Sequence, residues 1–223
     1  MKTLLSWSSG KDCAFALHVL RQTPGVEVVG LLTSVNEAFD RVAMHGVRRS
    51  LLEAQAEAAG LQLHVVTIPF PCPNDVYEAR MAAFVEKAQD DGVEAMAFGD
   101  LFLEDVRAYR EARMAGTGIT PMFPLWGRNT ADLAREMIRV GLETRIVCLD
   151  PRALDRSLIG RAFDADFIAA LPAGVDPCGE NGEFHTFAHA GPMFRAPIAI
   201  RSGEVVERDG FVYGDVMPAE DES

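Results

Sequence analysis

Lysine occurs in this chain only at positions 2, 11 and 87, and the middle one sits inside Ser8-Ser9-Gly10-Lys11-Asp12-Cys13, directly after the apolar run Leu4-Leu5-Ser6-Trp7. A strand that stops in a small-residue turn and passes into a helix presents backbone N–H groups and a positive helix end to an anion. Here Ser6, Ser8, Ser9 and Gly10 let the backbone approach a phosphate closely. Lys11 supplies a point charge, and Asp12 is placed to hold a divalent metal. The loop is not a Walker A, because only Gly10 precedes Lys11 at short range, and no GxGxxG occurs anywhere. An ordinary strand-to-helix turn with a lysine beside it is the other reading.

A second cluster lies near the C-terminus, in Gly179-Glu180-Asn181-Gly182-Glu183-Phe184-His185-Thr186-Phe187. Two carboxylates and an imidazole stand between glycines at the entry to a strand, a set able to bind an acceptor and move protons. Strand alternation predicts Glu183 and His185 on one face and Phe184 and Thr186 on the other. A polar face on an edge strand would account for the same pattern. Between these clusters, Phe98-Gly99-Asp100-Leu101 ends an apolar run in a Gly-Asp exit. If its strand neighbours the first one, Asp100 stands beside the Lys11 loop as a metal ligand, or else it caps the following turn. Arg107, Arg110 and Arg113 recur every three residues. They suit an anionic substrate, or form a solvated face paired with Glu104, Asp105 and Glu111.

The elements that must position these groups follow from hydrophobic periodicity. Strands are expected at 3–8, 26–35, 61–68, 94–99, 122–126 and 145–149, with helices at 13–21, 47–59, 75–90, 104–114 and 130–140. Near-continuous apolar strands alternating with helices predict an α/β fold, a doubly wound parallel sheet covered on both faces. After Pro151 the texture changes to short helices over 152–171, a Pro/Gly/acidic loop over 172–183, and strands at 184–189, 198–201, 204–208 and 211–213. Ser202-Gly203 and Asp209-Gly210 read as hairpin turns. The expected division is residues 1–130 against a smaller α+β portion over 131–223, with the boundary between 125 and 150. The tail from Pro218 to Ser223 is expected to fray.

Of the 223 residues, 48% are hydrophobic and 24% charged, an ordinary globular balance with no apolar run long enough to span a membrane. Met1-Lys2 leads into a strand with no signal-peptide pattern, so the cytoplasm is the expected compartment. A net charge of −12 argues against nucleic acid and anionic membranes as partners. Phosphate must therefore be met by a local positive site, as a magnesium complex. Cys13, Cys72, Cys148 and Cys178 are widely spaced, without zinc or disulfide spacing.

The Lys11 loop resembles the SGGKDS loop of the PP-loop ATP pyrophosphatases. Ser9 stands where that pattern has its middle glycine, and Cys13 where it has a serine. Leu5-Ser6-Trp7-Ser8, the Met44-His45-Gly46-Val47 segment and Phe123-Pro124-Leu125-Trp126 resemble one branch, the diphthine–ammonia ligase-like proteins. So does Glu180-Asn181-Gly182-Glu183-Phe184, which is similar to that branch's EGGE(Y/F) motif. The likeness covers essentially the whole chain.

It implies a HUP-type, adenine nucleotide α hydrolase-like fold. It also implies an enzyme that cleaves ATP between the α and β phosphates, with magnesium, and adenylates an acceptor carboxylate on a protein side chain or a small metabolite. Free ammonia is the expected nitrogen donor, and a homo-oligomer is left open. The implied roles place Ser6, Ser8, Ser9, Gly10, Lys11, Asp12, Cys13, Thr33, His45, Gly99 and Asp100 at the nucleotide, with Asp12 and Asp100 on the metal. Arg107, Arg110, Glu180, Glu183, His185 and Thr186 fall to the substrate, and Lys11, Asp12, Glu183 and His185 to catalysis, with Glu183 or His185 as general base. Cys13, at a helix N-terminus, is expected to have a lowered pKa. A nucleotide sensor without turnover, or ATP-dependent modification of a small metabolite, are the alternatives.

Overall fold

A computed structural model describes residues 1–38, 41–42 and 46–219. Its first sheet is built from β1 (Lys2–Ser6), β2 (Glu27–Asn36), β3 (Arg41–Val42), β4 (Gln62–Ile68), β5 (Ala95–Ala97) and β6 (Thr120–Met122). β1 pairs in parallel with β2 on one side and β5 on the other; β4 extends the sheet beyond β2, and β6 beyond β5. β3 adds a short antiparallel strand to the end of β2. The chain thus winds outward from β1 through β2 to β4, then returns to lay β5 against β1. That reversal opens a crevice at the carboxyl ends of β1 and β5, where ligands of open α/β sheets bind.

Helices α1 (Lys11–Gln22), α2 (Arg49–Ala59), α3 (Asn74–Asp90) and α4 (Glu104–Met114) make the connections, and α5 (Thr130–Arg139) follows β6. α1 starts at the Lys11 loop, with Asp12 in its first turn and Arg21 in its last, as the helix dipole favours. α2 stops at Gly60, whose φ of 65° is left-handed, with the Leu61 N–H returning to the Ala56 carbonyl at 3.0 Å.

The second sheet is antiparallel, in the order β8 (Phe184–Ala190), β7 (Glu143–Leu149), β10 (Phe211–Pro218), β9 (Ile200–Arg208). Between β7 and β8 lie a single 3-10 turn (Arg156–Leu158) and a one-turn helix, α6 (Ala165–Ala169). One hydrophobic cluster runs without a break from Trp7, Phe15 and Leu51 to Phe163, Phe184 and Phe187, so the two sheets share a core on the α1 and α2 side. A separate cluster around Leu4, Val66, Val85 and Met96 holds α3 on the other face.

Two expectations change. The strand predicted over 122–126 ends at Met122, and Phe123 to Trp126 form a turn closed by the Trp126 N–H on the Phe123 carbonyl at 3.2 Å. Ser202-Gly203 is not a hairpin but lies inside β9. Gly203 faces a bulge in β10 at Asp215, and a Cβ there would meet the Asp215 Cβ at 3.0 Å. The glycine makes room for a side chain rather than a turn. Asp209 and Gly210, with φ of 53° and 81°, do form the β9–β10 hairpin. The far tail, residues 220–223, lies outside the described residues.

Candidate active site

β1 ends at Ser6, and the Trp7 N–H still bonds the Leu32 carbonyl at 2.7 Å before the chain turns into the loop. Gly10 caps α1 without a side-chain bond, leaving the helix's first N–H groups to other partners. One is taken: the Lys11 N–H donates to Thr186 Oγ1 at 2.9 Å. A strand of the second sheet therefore lies directly on the loop. From the other side comes Gly99, whose added Cβ would stand 3.0 Å from the Asp12 carbonyl carbon and the Cys13 nitrogen. Only glycine lets the β5 exit pass so close to the start of α1.

These segments enclose a cavity of about 220 Å³. Ser6, Ser8, Gly10, Lys11, Asp12, Cys13, Gly99, Asp100, Arg110, Glu180, His185 and Thr186 all line it. Of the residues named from the sequence, Thr33 lies buried within β2 beside Val65 of β4, and His45 lies outside the described residues. Ser9 is buried behind the loop in left-handed backbone, φ 72°. A larger cavity of about 380 Å³ lies between α3 and α4, but it is mainly apolar and lacks the loop, so the chemistry assigns the smaller one.

Lys11 is 2% exposed, with Nζ 2.8 Å from Asp12 Oδ2 and over the rings of Phe163 (5.7 Å) and Phe184 (5.4 Å). Burial opposes its charge most strongly, but Asp12, Cys178 and Glu180 outweigh that, so its pKa moves up and the ammonium stays charged. Burial pushes the Asp12 carboxyl up, and Lys11 pulls it part of the way back. Asp12 Oδ1 is buried with no partner.

Cys13 departs from expectation. Its thiol donates to the Gly10 carbonyl at 3.1 Å and accepts from Ser8 Oγ at 3.6 Å, and burial pushes its pKa up to about 11. Desolvation outweighs the helix N-terminus, and the group is a neutral thiol that laces the loop.

Asp100 is held in a fork by Arg110, at 2.5 Å to Nε and 3.2 Å to Nη2, while the guanidinium lies 4.4 Å from the Phe98 ring centre. Arg107 lines no part of the cavity. It stacks on Phe123 and Trp126, 4.8 Å from each, and pairs with Glu111 at 2.7 Å. Arg113 turns to Glu78 and the Tyr109 ring.

The loop before β8 is folded on two carboxylates. Asp176 accepts from the N–H groups of Cys178 (3.2 Å) and Glu180 (2.9 Å). Glu183 Oε1 accepts from the Asp176 N–H at 3.0 Å and from Asn181 Nδ2 at 3.1 Å. Glu183 is thereby turned into the loop and away from the cavity, contrary to the face shared with His185 that alternation predicts. The reason is that β8 begins only at Phe184, so Glu183 obeys the loop.

Glu180 reaches across instead, its Oε1 accepting the Leu101 N–H at 2.7 Å. Burial drives its pKa up to about 7; the Leu101 bond opposes this, and Asp12 and Asp100 add to it. Burial, then Lys11, pushes His185 down to about 4, so its imidazole is neutral.

Gln55, Asp176 and Phe163 escaped the sequence reading. Gln55 had a signal, being a polar residue on the apolar stripe Leu51, Leu52, Ala56 and Ala59 of α2. The other two are brought in by packing alone. Among the described residues no group of three or more His, Cys, Asp or Glu is placed to hold a metal, and no helix is long and apolar enough to cross a membrane.

Residues 1–119 match the diphthamide synthase N-terminal domain, and residues 129–214 the diphthamide synthase C-terminal domain. The Homo sapiens protein named diphthine–ammonia ligase is 27% identical over 186 residues, spanning 77% of this chain and 70% of its own. The protein of that name from Bos taurus is 26% identical over 81% of this chain and 73% of its own, and that from Danio rerio 26% over 89% and 86%. A U34-tRNA thiolase from Methanococcus maripaludis is a partial structural likeness, with a TM-score of 0.38 and 16% identity over 63% of this chain and 57% of that one. Matched in order by both domain models, the chain belongs to the diphthamide synthase family.

Proposed function

We propose that the chain is an ATP-dependent carbon–nitrogen ligase of the diphthine–ammonia ligase kind. In this reading it adenylates an acceptor carboxylate and passes the acyl group to ammonia. The observation that carries it is the meeting, in one cavity, of the Ser8–Cys13 loop with Glu180 and His185 from the far end of the chain. Residues 1–130 are assigned the nucleotide and 131–223 the acceptor.

An acceptor carboxylate oxygen attacks the α phosphorus, and the bond to the bridging oxygen breaks toward pyrophosphate. The Gly10 N–H, the first turn of α1 and the charged Lys11 carry the negative charge that develops on the leaving group. Ammonia then attacks the acyl carbon, AMP leaves, and the nitrogen gives up a proton. Glu180, ionising near neutrality, is the base matched to that proton. Neutral His185 is too weak a base for it, and orients the nucleophile. Arg110, committed to Asp100, fixes that carboxylate in the cavity wall, while Thr186 holds the loop rather than the substrate.

Magnesium fits at Asp12, whose Oδ1 is buried and unpartnered; both oxygens of Asp100 are engaged by Arg110. Held there, a magnesium ion would neutralise charge on the polyphosphate.

The test is incubation with ATP, magnesium, ammonium and either a diphthine-bearing protein or a panel of small carboxylates. Equal amounts of AMP and pyrophosphate, dependent on the carboxylate, are expected. Release of ADP overturns α–β cleavage.

A further inference from the structure

Gln55 is fully buried on α2, and its amide makes three bonds. Nε2 donates to the Ser9 carbonyl at 3.0 Å and to the Ala188 carbonyl at 2.6 Å, and Oε1 accepts from Trp7 Nε1 at 2.7 Å. The Ser9 carbonyl also takes the Ala188 N–H at 2.9 Å. It is gripped by α2 and β8 together. In a trans peptide the carbonyl and the following N–H point in opposite directions. With the Ser9 oxygen drawn toward α2 and β8, the Gly10 N–H is turned the other way, and Gly10 lines the phosphate cavity. Ser9 also holds a φ of 72°, which an L-residue abandons unless its surroundings over-determine it.

We infer that Gln55 is a positioning residue of the phosphate loop: by holding the Ser9 carbonyl against α2 and β8, it aims the Gly10 N–H at the terminal phosphates of the nucleotide. It touches no substrate. The inference deepens the ligase reading and rests on it, because it needs a nucleotide whose outer phosphates lie in this loop. It also ties the loop's shape to the strand that carries His185.

The test compares ATP and AMP affinities, by calorimetry with magnesium present, for the wild type and for Gln55→Met and Gln55→Glu. The Met side chain fills the space without donors. Glu keeps the shape and the Trp7 bond, offers at most one donor where Gln has two, and serves if Gln55→Met does not fold. The expected result is a loss of about tenfold in ATP affinity for Gln55→Met, the scale of one hydrogen bond to a charged group, with AMP affinity unchanged. Gln55→Glu, which keeps at most one of the two donors, is expected to lose ATP affinity by about threefold or more, again sparing AMP. A merely structural role lowers the melting temperature and weakens both nucleotides alike, which overturns the inference. An ATP preference that survives in the variants also overturns it, leaving the ligase reading intact. A wild type that holds ATP no more tightly than AMP overturns the phosphate-loop reading itself.

Discussion

Ser9 and Glu180 show how single residues here are set by what surrounds them. Ser9 sits in left-handed backbone with its hydroxyl buried and unpartnered. Glycine removes the strain and the orphan hydroxyl, and gives back part of the gain as chain entropy in the unfolded state. Ser9→Gly is expected to stabilise the protein by about 1 kcal/mol. Urea unfolding checks it, and a loss of stability would show that the Ser9 side chain has a bonding role.

Glu180 ionises near pH 7 because burial outweighs its bond to Leu101. With free ammonia held constant, turnover is expected to rise as pH passes through about 7 and then level, with that limb absent in Glu180→Gln. Its folded pKa lies above the ordinary 4.5, so its contribution to stability is full below 4.5 and is lost as pH rises through about 7. Glu180→Gln should therefore be more stable than wild type at pH 8, with the gain shrinking as pH falls. Thermal melts across that range decide it; a gain that grows toward acid contradicts the burial argument.

At the scale of elements, the site depends on how closely β5 leaves the sheet past the start of α1. Gly99→Ala puts a Cβ 3.0 Å from backbone atoms of Asp12 and Cys13, which have no flexible end to give way. The helix start must shift, at a cost of about 1–3 kcal/mol. We expect kcat/KM for ATP to fall roughly tenfold, as a small misplacement of binding groups commonly does. Steady-state kinetics test this, and an unchanged value would mean the loop tolerates the shift. Element type was legible wherever periodicity ran long: α4 spans Glu104–Met114, as its pattern predicts. It failed at Ser202-Gly203, because a glycine that admits a neighbour's side chain has the same letters as one that makes a turn.

The whole molecule carries a net charge of −12, so an anionic nucleotide approaches against the general field and toward one buried lysine. Chelating magnesium should accordingly weaken ATP binding by about tenfold or more, while AMP, with less charge, loses little. Calorimetry with and without chelator measures it. Equal loss for both nucleotides would place the ion away from the outer phosphates.

What the sequence determined by itself was local: the strand–loop–helix at Lys11, the parallel α/β winding, and the two polar clusters. Each is written in consecutive residues, through periodicity, small-residue turns and charge. Only tertiary structure decided that Glu180 faces the cavity and Glu183 does not, that Arg107 stacks on aromatic rings, and that Thr186 and Gln55 hold the loop. Those outcomes depend on which side chain desolvates against which neighbour. A pKa, a hydrogen bond or the aim of a peptide comes from groups far apart in the chain, and their proximity exists only once the two sheets share a core.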